Sequence, residues 1–347
     1  MHLFADISSH GYGHLAIAAP ILGELAARDP GLRLTVRSAL PEAKLRERIA
    51  PPFELIPGSS DFGYVMHDAL RIDRDATART YRSAHAGWPA AVAAEARFLA
   101  ALAPDAVLTN VAYLPLAGAA ACGIPSYSVC SLNWADLFAH FFGREAWAPP
   151  IHAAMLAAYR SARAFIRITP GMAMDALDNV QPVGPVATHG RKVDLGLGGD
   201  KAVLVALGGI AHHLPVDDWP RLPGVRWLVA GHWQCTHPDA IAWESLCLDF
   251  NDLLCSADAV VTKPGYGTFA EAACNAIPVL YQRRDDWPEQ EPLIDWLKEK
   301  ALCAEVSAHQ LANGDLAQAL RKLWARPAPP PPEPTGVAEA AGIILGG

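Results

Sequence analysis

A glycine-rich turn in the last third of the sequence carries residues suited to binding an anion. It lies within Val260–Tyr281, V-V-T-K-P-G-Y-G-T-F-A-E-A-A-C-N-A-I-P-V-L-Y, where a short apolar strand runs into the turn and a helix follows. Gly265 and Gly267 leave room for a ligand at the backbone, and Thr268 starts a helix whose free N–H groups favour a phosphate. Lys263 brings a cation to the same turn.

Glu271, which follows this turn, has two interpretations. One turn into the predicted helix, Phe269–Asn275, its carboxylate is placed to accept two hydrogen bonds from a ribose diol beside a bound phosphate. Thr268 and Glu271 also form the T-F-A-E pattern of a capping box, in which each side chain satisfies a backbone donor near the other. The pattern alone favours neither interpretation.

A second turn of the same kind opens the sequence. The strand-like run His2–Ile7 stops at S-S-H-G-Y-G-H, and an apolar helical pattern follows over Leu15–Ala27. His14 ends this turn, and an imidazole that titrates near neutrality is suited to act as a general base. The alternative is a loop histidine that caps the following helix, and His10 is a weaker candidate on the same loop.

The run K-A-V-L-V-A-L-G-G-I-A-H-H predicts another strand followed by a glycine turn, the third such unit in the sequence. We expect a second phosphate contact at this turn. Adjacent residues point in different directions, so at most one histidine of the pair would reach a diphosphate. His232, Cys235 and His237 are not accompanied by a Cys or His pair at ligand spacing, so we predict no metal site.

Short buried strands alternate with helices along the sequence of 347 residues. This pattern predicts an α/β protein with doubly wound parallel sheets, and the length fits two such domains. We place the first domain at 1–168, an interdomain connection at 169–186 and the second domain at 187–326. Residues 327–347 hold a proline tract and a terminal amphipathic helix.

The stretch K-P-G-Y-G-T-F-A-E-A, preceded by F-N-D-L-L-C-S-A-D-A-V-V and followed by W-P-E-Q, resembles the donor-nucleotide signature of GT-B glycosyltransferases. The likeness is greatest to their MurG-like and UDP-glycosyltransferase branches. It implies two Rossmann-like domains that face a central cleft, an N-terminal one for the acceptor and a C-terminal one for the nucleotide sugar, with the terminal helix crossing back. It also implies an inverting sugar transfer from a UDP- or TDP-sugar, without a metal or cofactor.

Carried over by position, the resemblance assigns donor contacts along the second domain. The turn would hold the diphosphate, Glu271 the ribose, the Phe250 region the base through its backbone, and the acidic-Gln pair the sugar. The donor residues so implied, together with the second turn, are Gly208, Gly209, Ile210, His213, Phe250, Lys263, Pro264, Gly265, Tyr266, Gly267, Thr268, Glu271, Glu289 and Gln290.

In the first domain the resemblance makes His14 the general base for the acceptor, on a loop formed by His10, Gly11, Tyr12 and Gly13. The sequence departs from the UDP-glycosyltransferase pattern at Asn110, where those enzymes usually carry an Asp that orients the histidine. Asn can accept a hydrogen bond from the imidazole but cannot stabilise an imidazolium by charge. Either the base is weaker, or another carboxylate such as Asp136 takes that role.

Two other functions stay open on these residues. A nucleotide-sugar hydrolase or epimerase would share the donor signature, and a non-catalytic nucleotide-sugar binding subunit is compatible with Asn110. Six aromatic residues suggest an apolar, lipid-linked or aromatic acceptor and peripheral membrane contact, although core packing explains such residues equally: Phe62, Tyr64, Phe138, Phe141, Phe142 and Trp147.

The formal net charge of −8 argues against nucleic acid or a polybasic membrane surface as the main partner. Seven cysteines without a C-x-x-C pair predict reduced thiols in a cytoplasmic protein. The sequence shows neither a secretory signal nor an apolar run long enough to span a membrane.

Overall fold

The computed structural model describes residues 1–209 and 213–346. The strands are β1 His2–Ile7, β2 Arg33–Ser38, β3 Glu54–Pro57, β4 Ala106–Asn110, β5 Ser126–Cys130, β6 Ala164–Ile168, β7 Val180–Val183, β8 Lys201–Val205, β9 Val225–Val229, β10 Ala240–Ala242, β11 Ala259–Thr262, β12 Val279–Tyr281 and β13 Cys303–Glu305. The helices are α1 Tyr12–Arg28, α2 Glu42–Arg48, α3 Arg74–Ala86, α4 Trp88–Leu102, α5 Leu114–Cys122, α6 Trp134–Phe142, α7 Ala148–Arg160, α8 Phe250–Ser256, α9 Tyr266–Cys274, α10 Gln290–Lys300, α11 Ala308–Asn313, α12 Ala317–Trp324 and α13 Gly336–Gly346.

The first sheet has seven parallel strands in the order β3-β2-β1-β4-β5-β6-β7. Its central strands are buried along almost their whole length, as expected of strands covered by helices on both faces. The chain builds outward from β1 in both directions, so the strand order reverses between β1 and β4, where Ile7 pairs with Asn110. Ligands of open α/β sheets bind beyond the carboxyl ends of the strands at such a reversal.

The second sheet has six parallel strands in the order β10-β9-β8-β11-β12-β13. Its order reverses between β8 and β11, where Val205 pairs with Val261. The predicted α/β fold with two doubly wound parallel sheets is therefore confirmed. None of the helices that the structure describes is both long and apolar enough to span a membrane.

The chain divides into two compact units. The first contains 1–67, 72–186 and the chain from Thr335 onward, and the second contains 68–71 and 187–334. The terminal helix α13 belongs to the first unit, where it packs against α1 and β7.

Two stretches are more regular than the sequence indicates. Within 169–186, which we expected to be a connection, Val180–Val183 forms the edge strand β7 because it pairs with β6. Glu54–Pro57, whose sequence shows no clean periodicity, pairs with β2 as the opposite edge strand. Short edge strands carry little periodicity, and pairing with the sheet defines them.

The glycine turns are also shorter than predicted, because two helices begin early. Helix α1 starts at Tyr12 rather than near Leu15, and α9 starts at Tyr266 rather than near Phe269. In both, a glycine in extended conformation occupies the N-cap, a position that glycine fills well despite its low helix propensity.

A buried ion triad joins β1, β2 and α4 in the first unit. The Arg37 guanidinium hydrogen bonds to Asp6 and reaches Glu95 at 2.6 Å, and the three side chains are 12%, 2% and 8% exposed. The same guanidinium lies 5.1 Å from the ring centroid of Phe4. Its charge offsets the two carboxylates that the fold removes from water.

Candidate functional site

His14 and Asn110 meet at the strand reversal of the first sheet. His14 lies in the first turn of α1, after β1, and is 8% exposed. Its Nδ1 lies 2.7 Å from Oδ1 of Asn110, the last residue of β4. Of the predicted loop residues that precede His14, Gly11 is the N-cap of α1, while Tyr12 and Gly13 are the first residues of this helix.

The Asn110 amide determines which imidazole nitrogen carries the proton. Its Nδ2 donates to the Val129 carbonyl at 2.8 Å, so its Oδ1 faces His14 as an acceptor. His14 Nδ1–H therefore donates to Asn110, which puts the proton of the neutral imidazole on Nδ1. This is the tautomer that a general base requires, and here a neutral amide fixes it.

Asp61 is a carboxylate of this region that the sequence did not reveal. Its Oδ2 accepts from Trp134 Nε1 at 2.7 Å, and its Oδ1 accepts from Ser8 Oγ at 3.0 Å. Burial raises the pKa of the Asp61 carboxyl. The indole of Trp134 in turn lies 5.7 Å from the His14 ring and 5.3 Å from the His10 ring, centroid to centroid.

Asp136, the other carboxylate that we considered for His14, lies at the start of α6. Asn133 caps this helix by accepting from the Asp136 backbone N–H at 2.8 Å, and Asn133 Nδ2 donates to Asp136 Oδ2 at 2.8 Å. Burial raises the pKa of the Asp136 carboxyl. These contacts pair Asp136 with the cap residue Asn133, whereas His14 Nδ1 contacts Asn110.

Lys263 lies at the strand reversal of the second sheet. It follows β11, and its Nζ lies 3.8 Å and 3.6 Å from where side chains at Gly208 and Gly265 would begin. The Lys263 side chain therefore lies beside both the turn after β8 and the turn after β11. Gly208 and Gly265 leave this space open because glycine has no side chain. Burial and, to a lesser extent, the Arg284 charge lower the pKa of the Lys263 ammonium to about 7, and Glu289 opposes this shift.

Helix α9 bears on the capping-box interpretation of Glu271. Its N-cap is Gly265, no side chain caps it, and Thr268 is its third residue. The T-F-A-E capping box is therefore not formed, since Thr268 does not hold the N-cap position. Glu271 is 2% exposed and lies in the second turn of α9. The free N–H groups of this helix are at its start, beside Lys263.

The segment after β12 holds the predicted sugar-binding pair and a buried arginine. Glu289 Oε2 accepts from Trp287 Nε1 at 3.0 Å. Gln290 clasps the Arg284 backbone, because its Oε1 accepts from the Arg284 N–H at 3.0 Å and its Nε2 donates to the Arg284 carbonyl at 3.1 Å. The Arg284 guanidinium lies 3.8 Å from the Trp287 ring centroid, and burial lowers its pKa to about 10.

The other predicted donor residues are more scattered. Gly208 and Gly209 are exposed after β8, and Gly208 has a φ of +86°. His213 is exposed with its ring 5.2 Å from that of Trp233, and Phe250 is the first residue of α8. Ile210 lies outside the described residues. Pro264, Tyr266 and Gly267 are buried in the turn and at the start of α9.

Most of the aromatic residues that suggested an apolar acceptor surface belong to the core. Tyr64, Phe138, Phe141 and Phe142 are all buried. They pack edge-on or tilted against one another and against Tyr81, with ring centroids 4.9 Å apart for Phe138 and Tyr81. Core packing explains these four residues, and they give no support to an apolar acceptor.

The described residues contain no group of three or more His, Cys, Asp or Glu side chains that could hold a metal ion. His237, which we considered as a ligand, instead contacts the Trp219 carbonyl through Nε2 at 3.0 Å. Its Nδ1 accepts from the Asp239 backbone N–H at 3.1 Å.

Comparison with known proteins gives one curated relative and several structural ones. No protein-family model matches the chain. L-arabinokinase of Arabidopsis thaliana is 24% identical over 329 residues, which make up 89% of this chain and 30% of that protein. The chain thus spans less than a third of the length of the curated relative that it matches.

Among solved structures, the calicheamicin glycosyltransferase CalG4 matches with a TM-score of 0.62 and 16% identity, over 99% of this chain and 97% of that one. Spinosyn rhamnosyltransferase SpnG, complexed with thymidine diphosphate, matches with a TM-score of 0.60 and 17% identity, over 99% and 95%. A likeness that covers nearly the whole chain, with two parallel sheets, shows that the protein has the GT-B fold. The predicted resemblance to GT-B glycosyltransferases is confirmed at the level of fold.

Proposed function

We propose that this protein is an inverting glycosyltransferase that moves a sugar from a UDP- or TDP-sugar to an acceptor hydroxyl without a metal ion. The observation that carries the proposal is the placement of Lys263 Nζ beside both glycine turns, next to the free N–H groups that start α9. That arrangement offers a cation, open backbone and a helix dipole to a diphosphate. The bound thymidine diphosphate of SpnG, which shares the fold, supports the nucleotide class.

The proposed chemistry is a single displacement. His14 Nε2 takes the proton of the acceptor hydroxyl while that oxygen bonds to C1 of the sugar. The bond from C1 to the diphosphate oxygen breaks, and the nucleoside diphosphate leaves with both electrons. Lys263 and the α9 N-terminus stabilise the negative charge that develops on the leaving group, as a metal does elsewhere. Attack from the opposite face inverts C1.

A nucleotide panel tests the donor site. UDP or TDP should raise the melting temperature of the full chain, because a ligand that binds only the folded state stabilises it. ADP, GDP and ATP should raise it less. Since the curated relative is a kinase, ATP is the decisive comparison. Equal shifts with purine nucleotides would remove the pyrimidine assignment, and no shift with any nucleotide would remove the donor site.

Incubation with UDP-sugars alone then separates the activities on this site. Release of free UDP without acceptor indicates a hydrolase, and altered sugar stereochemistry indicates an epimerase. An acceptor screen with the donor sugars that bind follows, and the anomeric configuration of the product, read by NMR, checks inversion. Tight donor binding with no product from any acceptor would favour a non-catalytic binding subunit.

A further inference from the structure

The side chain of Arg284 is fixed in place within the second unit but lacks partners along one edge. It is 6% exposed, its guanidinium stacks on Trp287, and Gln290 holds its backbone at both polar atoms. Its Nε and Nη2 are buried and find no hydrogen-bond partner among the residues that the structure describes. Leaving charged donors buried and unpaired is costly, so such a group is suited to a ligand that supplies the acceptors.

Nε and Nη2 form the side of a guanidinium that binds both oxygens of a carboxylate at once. The same unit shows this pairing, because Arg221 donates from Nε at 2.9 Å and from Nη2 at 2.8 Å to the two oxygens of Asp239. Arg283, the neighbour of Arg284, is already paired with Glu291 and Glu305. Arg284 presents the Arg221 geometry without its carboxylate.

The carboxylates around Arg284 have other partners. Glu289 and Asp68 both act on its charge through space. Glu289 Oε2 accepts from Trp287, and Asp68 is held by Arg71 Nε at 2.8 Å and by the Leu70 backbone N–H at 2.8 Å. The described residues thus leave the open edge without an acceptor, and a carboxylate or phosphate of a ligand fits it.

The sheet places this edge one strand away from the phosphate turn. Lys263 follows β11 and Arg284 follows the neighbouring strand β12, with Thr262 paired to Tyr281. Neighbouring strands lie about 5 Å apart, roughly the width of a sugar ring. Among the described residues, and apart from the chain neighbours of each glycine, only Lys263 atoms lie within 4 Å of the points where side chains at Gly208 and Gly265 would begin. A diphosphate at the turns would thus leave Arg284 to the sugar attached to it.

We propose that Arg284 binds the carboxylate of a uronic acid, so that the donor is a nucleoside diphosphate uronic acid. This inference rests on the proposed function, because it requires a nucleotide sugar at the Lys263 turn. The paired N–H groups of Arg284 would select an acidic sugar over its neutral counterpart, with Trp287 and Gln290 keeping the guanidinium in position.

Calorimetric titration of the full chain with UDP, UDP-glucose and UDP-glucuronic acid tests it. We expect UDP-glucuronic acid to bind about 10- to 100-fold more tightly than UDP-glucose, the usual range for a hydrogen-bonded charge pair. Arg284→Gln should remove this preference while changing the affinity for UDP by less than about twofold. Arg284→Lys, which keeps the charge but not the fork, should retain part of the preference.

Arg283→Gln is the matched control, since its guanidinium is already paired with Glu291 and Glu305, and it should keep the wild-type preference. Equal wild-type affinity for the neutral and acidic sugars would overturn the inference and leave the proposed function standing. A comparable loss of UDP and UDP-glucose in Arg284→Gln and Arg284→Lys would make Arg284 a phosphate ligand instead. No binding of UDP by the wild type would remove the proposed function itself. Circular dichroism of each variant excludes misfolding as the cause.

Discussion

Lys263 and Arg284 are cations held where their charge is unfavourable. Burial lowers the pKa of both side chains, and the Arg284 charge adds to the shift of Lys263, while Glu289 is the carboxylate that opposes the shift of both. A dianionic diphosphate would reverse this balance, because an opposite charge nearby favours the protonated form. The charge pattern of the free protein therefore favours anion binding.

This balance gives a pH dependence to donor binding. Lys263 has a pKa of about 7 in the free protein, and a bound diphosphate should raise it, so donor binding takes up a proton above that pH. The affinity for UDP-glucose should fall about tenfold per pH unit above pH 7, as linkage with one proton requires. Titration calorimetry from pH 7 to pH 9 measures this slope. Lys263→Met should bind weakly with no slope, and a slope retained in that variant would contradict the assignment.

His14 is the residue on which turnover should depend. His14→Ala should lower kcat by about 10²–10⁴, the usual contribution of a positioned proton acceptor, with UDP affinity unchanged because Lys263 and α9 lie in the other unit. Steady-state kinetics with saturating donor and acceptor measure the loss. His140→Ala, on the exposed face of α6, serves as the control. Wild-type turnover in His14→Ala would exclude the mechanism.

Glu271→Gln separates ribose binding from a structural role. Removal of the charge weakens hydrogen bonds to ribose hydroxyls, so UDP affinity should fall roughly tenfold. Because Glu271 takes no part in a capping box, α9 should not lose a cap. Titration calorimetry and urea unfolding measure the two effects. A loss of stability with intact UDP affinity would assign Glu271 to the fold.

Some of these residues can be predicted from the local sequence, whereas the roles of others depend on contacts that form only in the folded protein. The Lys263 turn directly follows β11, Asn110 ends β4, and His14 lies in the first turn of the helix after β1, so strand order alone brings them to a reversal. Arg284 lies in R-R-D-D, where nothing local distinguishes it from the ion-paired Arg283; contacts with Trp287 and Gln290 make the difference. Asp61 comes from a stretch without periodicity, and only the tertiary fold brings it to Trp134.

Among the elements, β1, β2 and α4 are joined by charge as well as by apolar packing. The apolar faces of these elements could be predicted from their pattern, but the pairing of Arg37 with Asp6 and Glu95 depends on strand register and helix placement. The starts of α1 and α9 were predicted too late, because the low helix propensity of Gly11 and Gly265 suggests a loop. In the structure, these glycines are the N-caps of the two helices.

Arg37→Met should lower the free energy of unfolding by about 3–5 kcal/mol, because it leaves Asp6 and Glu95 buried without a countercharge. Urea unfolding at pH 7 measures the change. Arg46→Met is the matched control: Arg46 also pairs with a carboxylate and stacks on a ring, but it is 52% exposed. Arg46→Met should lower the free energy of unfolding by less than about 1 kcal/mol. Equal losses in the two variants would mean that burial does not set the cost.

At the scale of the whole molecule, the two units have different proposed roles. Residues assigned to the nucleotide lie in the second unit, and His14 lies in the first. Hydrogen exchange of the full chain with and without UDP tests this division. We expect slower exchange at amides of the turn after β11 and the start of α9, and no change around α1. Protection limited to the first unit would contradict it, and Lys263→Met should show little protection anywhere.

The position of α13 has a consequence for how the protein is made. This helix packs against α1, yet almost the whole chain separates the two in sequence. On the ribosome, the first unit waits for its last helix while the second unit is synthesised in full. Until α13 is synthesised, the surface of α1 that it covers stays exposed. A nascent chain that stops after Pro334 would therefore leave this surface of α1 exposed and would be a substrate for chaperones.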